Sequence, residues 1–280
     1  MNNSFFHNFI KHRVAAVCAV ILILELLCIL ILPLATSLDP YTCDVLSMNK
    51  APSKAHLLGT DTLGRDILAR LVYGGRNSLF IGIVSTLISV VIGLPLGLYA
   101  GYYKGFFSSL IMRLADMFMS FPSTVLILVV VALFGSTVTS MTVIIGILGW
   151  PAVARLLSAN VLSEREKEYV LAARTIGTRE QKILWTYILP NSVSPLWMSL
   201  AFRISQAMIM ESGLSFLGAG VMPPESSWGN IIQDANSLIV LSTRWWIWVP
   251  AGICLIFTIV CINFVGEGIR DALDPKLKRI

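Results

Sequence analysis

Few residues in this sequence could do chemistry, and those that could stand apart from one another. Arg203 and Glu211 interrupt the apolar run from Ser192 to Leu217. Charges at that depth are costly and normally face protein or water rather than lipid. Eight helical residues rise about 12 Å, so the two cannot pair directly within one helix. Each needs another partner: a backbone carbonyl, a group on another span, or a water-filled path. Glu25 poses the same question in the first apolar run. No HExxH, GxSxG, CxxC or GxxxxGKS/T pattern occurs, so neither a catalytic grouping nor a phosphate loop for ATP is visible. Cys18, Cys28, Cys43, Cys254 and Cys261 read as small core hydrophobes rather than a disulfide or zinc framework. His7, His12 and His56 do not cluster. Neither a metal site nor an enzyme is expected.

The elements that must position these groups surround the longest strongly charged segment, Glu164 to Asn191. Two short amphipathic helices can be read in it. Tyr169, Val170, Ala172, Ala173 and Ile176 recur on one face of the first, and Ile183, Leu184, Tyr187 and Ile188 on one face of the second. Gly177 lies between them, where a sharp turn calls for a positive φ. Pro190 stops the second helix or opens the next. The segment is expected to be a helix–turn–helix knob in water, held at both ends by membrane helices.

The rest of the chain reads as membrane. It is 56% hydrophobic and 13% charged, with a mean hydropathy of +0.77, whereas a soluble domain is usually about 25% charged. Spans are predicted over Val14–Leu34, Ser78–Gly101, Arg113–Phe134, Met141–Leu157, Ser192–Leu217 and from Trp245 to about Val265. The first lacks the short apolar core and cleavage site of a signal peptide, so it is read as uncleaved. Between the first two spans, Asp61 can cap a helix with Leu63, Ile67, Leu68, Leu71 and Val72 on one face. Asp66 and Arg70 stand at i,i+4 in that helix, and Gly74-Gly75 closes it. Gly93, Gly97 and Gly101 form a GxxxGxxxG row for close helix approach. Fourteen of the 21 Lys and Arg fall on the side that holds the charged loop and both termini, and six on the other. Basic residues mark the cytoplasmic side, which predicts cytoplasmic termini.

Five stretches carry a family resemblance. Ala172-Ala173, Gly177 and Tyr187-Ile188-Leu189-Pro190 have the spacing of the EAA loop of ABC importer membrane subunits. The chain is similar to that family again at LLGTDTLGRDILARLVYGGR, RLADMFMSFP, ESGLSFLGAGVMPPESSWGN and GEGIRDALDPKLKRI. One position departs: the usual motif Glu is Leu171, with Glu168 three residues earlier. The resemblance is to the dipeptide, oligopeptide and nickel group, in the second-permease position. It implies an all-α integral membrane protein of six transmembrane helices, a type I importer permease. Residues 1–77 would form an N-terminal region with the first helix and an external segment. Residues 78–280 would form the transmembrane domain, with its coupling loop at 164–190.

Further expectations follow from the resemblance. Glu168, Leu171, Ala172, Ala173, Gly177, Leu189 and Pro190 are expected in the loop that docks on an ATPase, with Ala173 against its groove. Arg203 and Glu211 are candidates for the translocation path. The chain itself would hold no cofactor, ATP being bound by partner ATPase subunits. A second, homologous permease and an external substrate-binding protein would complete an importer in a bacterial inner membrane. Peptide is the expected substrate, nickel or a metal chelate the alternative. A stand-alone channel or a membrane-embedded enzyme is the reading from another class; a channel would need no loop facing an ATPase, and an enzyme would need a catalytic grouping.

Overall fold

The computed structural model describes residues 9–10, 12–36, 38–193 and 195–273. Lys11, Lys276, Lys278 and Arg279, counted above as cytoplasmic, lie outside these. Among the described residues there is no strand, only an isolated bridge between Thr60 and Asp66. The membrane-length helices begin with α1 (Arg13–Ala35) and α2 (Ile67–Tyr102). A bent pair follows, α3 (Phe106–Ser120) and α4 (Ser123–Phe134), then α5 (Val138–Leu148) and α6 (Trp150–Glu164). The knob contains α7 (Glu168–Thr175), α8 (Glu180–Ile183) and α9 (Leu189–Val193). After α10 (Leu196–Phe216), a loop carrying α11 (Trp228–Gln233) and α12 (Leu238–Thr243) leads to α13 (Trp245–Leu273).

Four units are long and apolar enough to cross a bilayer: α1, α2, α5 with α6, and α13. The α3–α4 pair could be a fifth, but its halves meet at 88° across Phe121-Pro122. Pro122 forces this break, since it has no N–H to continue α3 and begins α4 at its N-cap. The span read over Arg113–Phe134, with its break at Ser120-Phe121-Pro122, is thus two helices that meet at that break, the first starting earlier than expected, at Phe106. The 21-residue α10 is about 31 Å long but less apolar, because Arg203, Gln206, Glu211 and four serines lie in it.

The scaffold is built round α2, whose 36 residues are too many for one crossing and run on into the segment before it. The expected helix stop at Gly74-Gly75 is corrected. A Cβ on Gly75 would come within 2.9 Å of the Trp228 ring and 2.7 Å of Ile29, so the pair makes room for crossing side chains. The helix therefore continues across residues 77 and 78. Its N-cap is Asp66, which accepts from the Ala69 N–H at 2.9 Å, not Asp61. Asp66 also pairs with His56 rather than with Arg70. The Gly93, Gly97 and Gly101 row behaves as expected. Added Cβ atoms there would meet Val153, the Ala154 carbonyl and the Ser158 carbonyl at 2.7, 2.5 and 2.6 Å. Only glycine lets α6 lie that close along α2.

Polar contacts fasten α1 to this scaffold. Pro33 has no N–H, so the Ile29 carbonyl four residues earlier loses its helical partner. Arg76 of α2 supplies one: its Nε donates to Ile29 O at 3.0 Å and its Nη2 to Leu30 O at 3.2 Å. Glu25 faces protein, as its cost requires, and accepts from the Thr258 hydroxyl of α13 at 2.6 Å. The cysteines are mixed: Cys18 and Cys261 are buried, but Cys28 and Cys43 are exposed, so neither of the latter is the core hydrophobe expected.

Candidate functional site

The charged loop folds as the expected helical pair. Gly177 has φ +78 and closes α7, with its N–H donating to Arg174 O at 2.9 Å and the Thr178 N–H to Ala173 O at 3.1 Å. This double closure satisfies the last carbonyls of α7 and needs a left-handed residue. Pro190 stands second in α9, the next helix that it was expected to open, but it does not interrupt the helical course before it. The backbone runs from α8 into α9 through a π-helical stretch, Leu184–Ile188, in which the Leu189 N–H reaches back to Leu184 O. A proline ring clashes with the carbonyl four residues before it, and the wider π turn removes that clash at Thr186.

One side of the knob is glued to the membrane helices. Val170 and Ala173 of α7, with Ile183, Leu184 and Ile188, share a buried cluster with Leu98 and Tyr102 of α2 and Leu157 and Val161 of α6. Burying each large aliphatic chain there contributes about 1.5–3 kcal/mol. Ala173 is 5% exposed and faces its own chain, which corrects the expectation that it meets a partner's groove. Ala172 also leaves the predicted apolar face and is exposed. The free surface carries Ile176, 81% exposed, and Leu171, 49% exposed.

Polar contacts that sequence reading missed hold the knob's angle. The Tyr102 hydroxyl donates to Glu180, which pairs with Arg174 at 3.2 Å, and the Arg174 guanidinium lies 5.8 Å from the Tyr102 ring centre. Arg165 donates to Tyr102 O at 3.0 Å. The Tyr169 hydroxyl donates to Glu164, and burial with that carboxylate pushes its pKa up to about 12. Such pairs lie 70 or more residues apart in sequence for Tyr102 with Arg174 and Glu180, so no local spacing signals them. Glu168 opens α7 as an acid in its first turn, where it favours the helix dipole. Leu189 is half-buried against the same cluster.

Deeper in the helices, a cavity of about 640 Å³ opens between α2, the α3–α4 bend, the α5–α6 joint and α10. Arg203 lines it and donates from Nη2 to Gly149 O at 2.7 Å, at the joint between α5 and α6. Glu211 does not line it, and the structure separates the two charges. Fully buried, Glu211 accepts from the hydroxyls of Ser215 and Ser227, both at 2.7 Å. Ser227 is the N-cap of α11, so Glu211 pins the loop end of the molecule rather than facing a path. The assignment of Glu211 to the translocation path is therefore corrected. Glu211→Gln keeps an acceptor for both hydroxyls and should hold the loop. Glu211→Leu strands both hydroxyls and should loosen it by about 1–3 kcal/mol, read as faster proteolysis within residues 218–237.

A charged helical knob packed onto membrane-length helices, beside a cavity of about 640 Å³, is the arrangement of a membrane transport subunit. Residues 93–279 match the sequence profile of the binding-protein-dependent transport system inner membrane component. The chain belongs to that family and is a multi-pass permease subunit of an ABC importer, not an enzyme. As a member it works with an ATPase and a substrate-binding protein.

Among its relatives is the glutathione transport system permease protein GsiD of Pectobacterium atrosepticum, 39% identical over 278 residues, covering 98% of this chain and 91% of that one. The oligopeptide transport system permease protein OppC of Bacillus subtilis is 33% identical, covering 97% and 88%. The fold is that of type I importer permeases. An inward-facing structure of the MetNI methionine ABC transporter superposes with a TM-score of 0.62 at 19% identity, covering 74% of this chain and 98% of that one.

Proposed function

We propose that this chain imports di- and oligopeptides by alternating access, as one of two different permeases around a shared path. ATP is bound and hydrolysed on partner ATPase subunits, and the knob passes their closure to α2 and α6. The observation that carries this reading is the knob's two-sidedness. One face is locked into the ends of α2 and α6, while Ile176 and Leu171 are exposed, with nothing among the described residues to cover them. The relatives named for glutathione and oligopeptide transport support peptide as the cargo. Labelled dipeptide should be taken up by a deletion strain carrying the intact chain and not by the deletion alone. Uptake of a nickel chelate in its place would overturn the substrate reading.

The same reading gives six spans, α1, α2, α3–α4, α5–α6, α10 and α13, with both termini and the knob in the cytoplasm. The fourteen-to-six distribution of basic residues supports it. Met222, exposed in the loop before α11, is a position that a reagent can reach. An impermeant thiol reagent applied from outside should modify Met222→Cys and spare Ile176→Cys, in a background without the native cysteines. The reverse pattern would invert the topology.

A further inference from the structure

The cavity is electrostatically one-sided. Its polar lining consists of serines, Thr86, Gln206 and Arg203, and Arg203 is its only charged side chain among the described residues. Of the five N–H groups of the Arg203 guanidinium, one donates to Gly149 O. Its Nε is buried without a hydrogen-bond partner. Among the described residues no carboxylate lies in the lining to neutralise it. A cation so placed is screened less than one on the open surface, and an unmet buried donor is expensive. The remaining walls are apolar, with Phe118, Phe121, Phe202 and Met210 among them. A volume of this size takes a molecule of a few residues.

We propose that Arg203 receives a carboxylate of the passing substrate, with its guanidinium fork on the carboxylate oxygens and the aromatic walls around an apolar side chain. This rests on the proposed function and takes the cavity as part of the shared path; it names the group recognised there: for a peptide, the free C-terminus. Gln206 stands one turn further along α10 and also lines the cavity, so its amide can donate to the same anion. Charge-assisted bidentate pairing is what an arginine supplies and a lysine only partly reproduces.

The test uses the purified complete importer without its binding protein, so that the binding protein's own preference does not enter. Dansylglycine and dansylglycinamide are the probes, identical except for the carboxylate. The wild type should bind the acid about tenfold more tightly than the amide. Arg203→Gln, which can still donate to Gly149 O, should abolish that preference, and Arg203→Lys should keep part of it. Equal binding of acid and amide by the wild type, or an undiminished preference in Arg203→Gln, would overturn the proposal. Trialanine uptake by the full system is read separately. A carboxylate preference without peptide uptake keeps the anion site and removes the peptide; uptake without preference does the reverse.

Discussion

Gly177→Val is expected to leave the chain in the membrane at its normal level while uptake falls by a factor of roughly ten or more. The side chain itself would collide with nothing, since a Cβ at Gly177 meets no atom within 4 Å. The penalty is conformational. At φ +78 a β-branched residue is strained by about 1–3 kcal/mol, and an equilibrium shifts tenfold for every 1.4 kcal/mol. The turn that closes α7 would reopen, and the exposed Ile176 beside it would leave its place. Gly177 is not part of the buried cluster that ties the knob to α2 and α6, so insertion should survive. The ATPase should dissociate or hydrolyse ATP without transport. Gly177→Asn, which tolerates the left-handed region, should retain most uptake. Leu171→Glu should be tolerated too, because it restores the residue usual at that position of the loop motif and the shape of the knob does not depend on it. Normal ATP-driven uptake by Gly177→Val would reduce the knob to an ordinary connecting loop. Ala173→Asp is a different experiment: it would bury a lone carboxylate among Leu98, Leu157 and Ile183, and should lower the amount of folded chain.

Asp61→Ala should unfasten the other end of the molecule. The Asp61 carboxylate is fully buried and accepts from Arg65 Nε at 2.7 Å, Arg70 Nη1 at 2.6 Å, and the N–H groups of Leu63 and Arg65 at 2.8 and 2.9 Å. Arg70 reaches onward to Asn230 at 3.3 Å and Asp234 at 3.4 Å, so one carboxylate joins the segment before α2, the start of α2 and the loop around α11. Asp234 is a weak substitute for Asp61, because it meets Arg70 at 3.4 Å where Asp61 meets it at 2.6 Å, and burial raises its pKa against the pull of Arg70. Removing one partner of a buried charge network costs about 3–5 kcal/mol. In detergent, trypsin should cut Asp61→Ala at Arg65 or Arg70 under conditions that leave the wild type whole. Asp61→Asn, which keeps an acceptor for the backbone but no charge, should fall between. Wild-type resistance of Asp61→Ala would show that the network is ornamental.

The long helices were legible because a bilayer demands long apolar runs, and the sequence supplies them with little ambiguity. The GxxxGxxxG row on α2 was legible for a similar reason: its meaning is local to one helix face. Endings were harder. Gly74-Gly75 looks like a helix stop until Trp228, more than 150 residues later, is seen to cross it. Asp61 looks like an N-cap because the sequence shows the acid and not the two arginines that fold back on it. In the knob, apolar spacing identified the helices but not which side each residue serves. Ala172 and Ala173 are neighbours of one type, yet one is in water and the other under the knob. Arg203 and Glu211 looked equivalent as intramembrane charges. Only the positions of Gly149 and Ser227 separate a residue beside a cavity from one that pins a loop.

The way α1 is attached has a consequence for how freely its sequence can drift. In lipid, an apolar side chain gains little by leaving one greasy neighbour for another, so association depends on close packing and on polar contacts. For α1 the described polar contacts are few and point inward: Glu25 to Thr258, Cys18 to Cys261, the two carbonyls near Pro33 to Arg76, and the N-cap His12 to Asp271. Only Ala15, Cys18 and Ile29 of its 23 residues are buried. Its outward surface is thus a solvent-like coat whose residues can exchange with one another at little penalty. The anchoring positions are not interchangeable, and Pro33 and Arg76 form a matched set in which losing either one leaves the other without its purpose.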